Sequence, residues 1–94
     1  MTTYFMFGNY SVEAYKEISA DRTDSAAILI KQLGGKIKDI YALLGQDDLV
    51  LIVDFPDLEQ VVKASLALTK MTGIKFRTAP AISVEHFDKL TTEI

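Results

Sequence analysis

Arg22, the adjacent carboxylates Asp47 and Asp48, the paired cations Lys75 and Arg77, the sole histidine His86 and four tyrosines are the side chains with which this chain could do chemistry. On a continuous helix Arg22 falls inside an apolar stripe, one turn from Ile18 and Ala26. A guanidinium buried there needs a carboxylate from the sheet or an anionic ligand. A helix break at Ser19 would instead release it to solvent or to a structural ion pair. Asp47 and Asp48 could act as acid and base only if burial split their pKa values; in an exposed turn they shape the turn. Lys75 and Arg77 share one side of a strand, where they either rim a cavity or protect a sheet edge. Glu85, His86 and Asp88 offer metal ligands, but transition-metal sites seldom rest on one imidazole, so no metal is expected. Tyr4, Tyr10, Tyr15 and Tyr41 read as packing residues with wet hydroxyls. Gly34-Gly35 closes a helix rather than opening one, so it cannot cradle a phosphate. No motif stands by itself as catalytic, and no cofactor is expected.

Composition narrows the classes further. The chain has 94 residues, enough for one domain, with 49% hydrophobic and 24% charged residues, far from the disordered class. It has no cysteine, which removes disulfides, thiolate chemistry and thiolate zinc sites. The net charge is −3, and the densest basic spot, Lys36 and Lys38, is followed at once by Asp39. A general grip on phosphate backbones is therefore not expected, nor does any strand carry the Gly-aromatic pattern of an RNA-recognition sheet. Apolar runs such as Leu49 to Val53 fall far below the ~18 residues of a membrane helix. Met1 to Phe7 lacks the basic segment and cleavage pattern of a signal peptide. The expectation is a cytoplasmic protein that engages neither nucleic acid nor membrane.

The elements that must position these residues follow from the order of hydrophobic periods: two, 3.6, two, two, 3.6, two. Thr3 to Tyr10 reads as an aromatic-rich strand. Ser11 caps a helical segment in which Val12, Tyr15, Ile18, Ala26, Leu29, Ile30 and Leu33 share one side, as one long helix or two pieces bent near Ser19 to Thr23. Lys36 to Leu44 and Leu49 to Phe55 form a hairpin about Gly45-Gln46-Asp47-Asp48, with room for a bulge at the turn. Asp57 with Gln60 resembles a capping box for a helix from Leu58 to Thr72 that ends at Gly73. Ile74 to Ile82 is a fourth strand, at an edge because of Pro80, and Ser83 to Leu90 is a tail of one or two helical turns.

Two right-handed βαβ crossovers of this kind build an α+β, ferredoxin-like βαββαβ sandwich: a four-stranded antiparallel sheet with both helices on one face. An open second face should alternate with polar residues. Here Phe5 and Phe7 point one way and Tyr4 and Met6 the other, while Val50 and Ile52 oppose Leu49, Leu51 and Val53. Both faces of the middle of the sheet are apolar, so a second copy is expected to cover the bare one, giving a dimeric α/β barrel-type assembly or a larger ring.

Several segments carry a family likeness. They run from the Tyr4 strand through Ser19-Ala20-Asp21-Arg22, Leu33 to Lys38, Tyr41 to Asp48 and Leu49 to Val53, ending around Arg77-Thr78 and Glu85-His86-Phe87. Over almost its whole length the chain resembles the GYD-domain family. The signature of that family is a Gly-Tyr-Asp motif at the hairpin turn, with one residue usually following the Gly. Gly45 and Asp48 match, while Asp47 stands where the tyrosine is expected, so a role for that tyrosine does not carry over. The family often has Pro where Ala20 sits, which favours a helix break at Ser19. The resemblance implies a ferredoxin-like subunit akin to the dimeric α/β barrel proteins, and no particular reaction.

Polar and cationic groups beside an apolar sheet suit a modest organic anion. The leading expectation is a non-catalytic, self-associating small-molecule-binding or regulatory module, with Tyr4, Arg22, Tyr41, Asp48 and Arg77 as ligand-binding candidates. The rival, by fold analogy alone, is a cofactor-independent enzyme such as a monooxygenase or isomerase. A third reading is an assembly partner that docks another protein on the wide apolar face of Leu58 to Met71.

Overall fold

The computed structural model describes residues 1–94. Its elements are β1 (Thr2–Tyr10), α1 (Val12–Lys16), α2 (Ala20–Gln32), β2 (Lys36–Ala42), β3 (Leu49–Phe55), α3 (Leu58–Thr72), β4 (Ile74–Ala81) and α4 (Val84–Thr91). The strands form one antiparallel sheet in the order β2-β3-β1-β4, the ferredoxin-like arrangement with β1 and β3 central.

Register decides which side chains meet the helices. Tyr4 lies opposite Val53 and Met6 opposite Leu51, so these four share the face under α2 and α3. Met6, Val53 and Phe55 there are fully buried, with Ile30 from α2 and Val61 and Leu68 from α3 packed on them. Each such side chain stabilises by roughly 1.5–3 kcal/mol through removal from water. Phe5 opposite Ile52 and Phe7 opposite Val50 occupy the other face, as the alternation requires. Only 14 of the 94 residues are buried, for the molecule has two layers within an 18 Å short axis; on the second face Val50 is buried while Phe5, Phe7 and Ile52 are half-buried.

The local signals explain the boundaries. Asp57 caps α3 by accepting from the Gln60 amide at 2.9 Å. The reciprocal half of the expected capping box does not form, since Gln60 Oε1 is buried without a hydrogen-bond partner. Gly73 ends α3 in the left-handed region at φ 76°, where a Cβ is disfavoured. Small residues near that end hold it to β4: Thr69 Oγ1 donates to the Ile74 carbonyl at 2.8 Å, and Thr72 Oγ1 accepts from the Ile74 amide at 3.1 Å.

Three expectations need correction. The bulge lies within β2, between Ile37 and Asp39, rather than at the turn. β2 stops at Ala42, two residues early, because the Leu43 amide donates to the Asp48 carbonyl at 2.8 Å and closes the loop. The apolar stripe is also not continuous from Val12 to Leu33. Val12, Tyr15 and Ile18 stay exposed, and only Ala14 of α1 is buried. The break at Glu17 to Ser19 resets the helical phase, so the two pieces no longer share one side.

Candidate functional site

The helix break that removes the long stripe also builds a cavity. Ser11 caps α1 through the Ala14 amide at 3.0 Å, and α1 lasts only five residues. Ser19 then takes an extended conformation (φ −158°) and caps α2 by accepting from the Arg22 amide at 3.1 Å. That cap places Arg22 on the first turn of α2, with its side chain directed back across the break. Its Nη1 donates to the Ala14 carbonyl at 2.6 Å, and its guanidinium carbon lies 5.6 Å from the centre of the Tyr10 ring. Cation–π attraction at that separation is favourable. Tyr15 meets Tyr10 edge-on, with ring centres 6.1 Å apart.

Beneath Arg22 is a cavity of about 70 Å³ between α2 and the sheet. Ile37, Leu49, Leu51 and Phe76 form its floor, Leu68 and Ile74 one wall, and Ile18 and Ala26 its roof. Polar groups at its rim are few: Tyr10, Ser19, Arg22, Thr23 and Thr72. Thr72 is already engaged, since its hydroxyl also donates to the Leu68 carbonyl at 2.6 Å. Arg22 is half-buried, uses one donor on Ala14, and takes part in none of the ion pairs of the chain. A guanidinium has five N–H donors in a fork suited to a carboxylate. It therefore retains capacity for an anion entering beside the first turn of α2, where the helix dipole adds in the same sense.

The hairpin loop is tied to this site from the far side. Asp48 Oδ2 accepts from the Tyr10 amide at 2.9 Å, and the Asp48 amide donates to the Gly8 carbonyl at 2.9 Å. Asp48 thus fixes the end of β1 on which Tyr10 sits. Asp47 faces the open side of the sheet, accepting from Arg77 Nη2 at 2.7 Å and from Asn9 Nδ2 at 2.9 Å. Hydrogen bonding from Arg77 and then from Asn9 holds the Asp47 carboxyl below its ordinary pKa. Arg77 reaches it across the Phe7 ring, 4.7 Å from the ring centre. At the other end of the same face, Asp54 is also held low, mainly by the Thr3 hydroxyl at 2.6 Å and then by Lys38.

The five candidates do not converge. Arg22 lines the cavity, and Asp48 supports its wall. Tyr4 is buried on the helix face beyond α3, in a groove with Leu58, Val62 and Pro80. Tyr41 and Arg77 lie on the opposite, open face, beside Val50 and Phe7. Tyr10, Ser19 and Thr23 complete the cavity and were not among the candidates. Ser19 was legible as the cap of a second helix, but nothing in the sequence singled out Tyr10 from the other tyrosines. No cluster of three or more His, Asp or Glu side chains could hold a metal ion, and no helix is long and apolar enough to cross a membrane.

The profile described as GYD domain matches residues 4–91. No curated protein matches the chain in sequence. Among solved structures, the chain is similar to a leucine response regulatory protein of Mycobacterium tuberculosis, with TM-score 0.58 and 10% identity over 87% of this chain and 51% of that one. A feast or famine regulatory protein of M. tuberculosis, complexed with L-methionine, is similar at TM-score 0.58 and 11% identity, over 88% of this chain and 51% of that one. A transcriptional regulator gives the same TM-score of 0.58 and 11% identity over the same shares. The chain thus spans about half the length of these regulators, and at such identity the likeness is one of fold.

Proposed function

The chain belongs to the GYD domain family, and from that premise we propose that it is a self-associating module that binds a small organic anion without transforming it. The observation that carries this reading is Arg22: a half-buried guanidinium, with no carboxylate partner, at the mouth of an apolar cavity. Leaving a charge partly desolvated is costly unless something answers it. A carboxylate would do so, with the apolar floor taking a short hydrocarbon body.

Size limits the ligand class. About 70 Å³ is less than half of the 150 Å³ cavity that takes up benzene, and equals roughly two waters' share of liquid volume. The cavity therefore suits a carboxylate with a short apolar tail, and is far too small for a flavin, haem or nucleotide. It holds neither histidine nor carboxylate, so no acid–base pair stands ready within it, which favours binding over turnover. The amino-acid complex of one neighbour supports the idea that this fold can carry a small effector. Self-association is supported by the apolar face on which Phe5, Phe7 and Ile52 stay half-exposed around a buried Val50, with no second layer of the chain packed over them. A cytoplasmic setting fits both readings.

Thermal unfolding in the presence of short aliphatic carboxylates tests the binding. A ligand at 100 times its Kd should add ~2.7 kcal/mol of stability, and Arg22→Met should cut that gain to about half or less. If none of these acids moves the transition, the anion site is wrong. Light scattering tests the assembly separately, and a stable monomer at high concentration would refute it.

A further inference from the structure

The C-terminal helix is the least explained element of the molecule. Ser83 caps α4 by accepting from the His86 amide at 3.1 Å, so the helix leaves β4 in a set direction after only Ile82 and Ser83. None of its residues is buried. Yet Val84, Phe87 and Leu90 are 75%, 56% and 41% exposed, and they fall on one side of the helix at ~100° per residue. A helix with a continuous apolar stripe and no buried residue is stabilised by packing that a single chain does not provide.

The start of α4 stands above the open face of the sheet. Ser83 and His86 wall a cleft whose floor is Phe5 and Ile52, with Lys38 at its side. The cleft measures about 640 Å³ and opens to solvent, so it can admit a row of side chains but is not filled by its own helix. Charge separates the two surfaces. The open face carries Lys36, Lys38, Lys75 and Arg77 against three carboxylates, while α4 and its tail carry Glu85, Asp88 and Glu93 against Lys89 alone. Apolar stripe and apolar floor, acidic helix and net cationic sheet all belong to one chain, and the start of the helix borders the cleft. That is the self-complementarity a two-fold interface requires.

We propose that α4 is an exchanged arm: in a pair of copies it lies across the open sheet face of the partner, with its apolar stripe in the cleft floored by the partner's Phe5 and Ile52. The proposal rests on the self-association inferred above and adds how it is achieved. Each copy closes the cleft of the other, and the sheet faces become a continuous interface with the two arms.

The absence of cysteine makes a cross-linking test clean. Phe87→Cys and Ile52→Cys chains, one carrying a mass tag, are refolded together and oxidised. A disulfide needs Cα atoms ~4.4–6.8 Å apart, so efficient formation of the mixed-chain disulfide is expected. A control pairing Phe87→Cys with Lys63→Cys, on the far helix, should give at most a tenth of that yield. Equal yields in a protein that scatters light as a dimer would overturn the arm and leave self-association standing. A wild-type monomer would overturn both. An intrachain disulfide in the dilute double variant would show the arm folded onto its own sheet and overturn the exchange. Independently, Phe87→Glu, at an exposed position, should weaken dimerisation at least tenfold with an unchanged far-ultraviolet spectrum; an unaltered dimer constant would also refute the proposal.

Discussion

Arg22 shows how one residue can change meaning with its neighbours. Its sequence position sets it among apolar residues, and Ser19 decides that it stands on a first helical turn rather than mid-helix. Arg22→Met should lower affinity for small carboxylates by one to two powers of ten, since hydrogen bonds to charged groups contribute ~1.5–3 kcal/mol. Isothermal titration checks this, and Arg22→Lys should recover only part because an ammonium lacks the planar fork. The carboxylates on the open face make a separate prediction about pH. Asp47 and Asp54 have folded pKa values below their unfolded ones. Their contribution to stability is therefore fully present above the unfolded value near ~3.9 and is lost as pH falls through the lowered folded values. Wild type should melt above Asp47→Asn at neutral pH, and the two midpoints should converge in strong acid. Because the Arg77 side chain is 65% exposed, the gap should be small and shrink further with salt.

At the scale of elements, the periods were legible and the phase between them was not. β1, β3 and α3 announce themselves through alternation, through a Pro56-Asp57 start and through a Gly73 stop. The stripe from Val12 to Leu33 misled because it assumed unbroken 3.6-residue phase, whereas three residues outside the helix suffice to rotate α2 relative to α1. The bulge expected at the turn falls instead at Lys38 for a related reason: a bulge is set by pairing with β3, not by the residues of β2 alone. Close approach is similarly a property of three strands together, β1 between β3 and β4. A Cβ on Gly8 would come within 2.6 Å of a Leu49 methyl and 2.9 Å of an Ile74 methyl. Gly8→Ala should cost ~1–3 kcal/mol by overpacking, measured by urea unfolding, and should also disturb the cavity that Leu49 and Ile74 line.

Over the whole molecule, the dominant fact is thinness. A chain whose radius of gyration is 14.3 Å exceeds the ~12 Å expected of a compact domain of this length, and it does so because one sheet face and α4 lie outside the core. If the proposed pairing covers that face, Phe5→Glu should place a charge in its middle and shift the light-scattering mass from two chains to one. The same substitution leaves the helix-side core untouched, so the monomer should still unfold cooperatively.

The amino-acid sequence by itself determined the order of elements, the antiparallel sheet and the two-faced apolarity of its middle strands. Each of these depends on residue periods and end signals that act within a few positions. The site needed the tertiary structure. A cavity exists only where α2, the hairpin and the far end of β1 meet, and Tyr10 enters it because Asp48, 38 residues away, holds its backbone. No local pattern encodes that meeting: the contacts are made by chain segments brought together through packing, and only their assembled geometry separates Arg22 and Tyr10 from Tyr41 and Arg77 on the opposite side of the sheet.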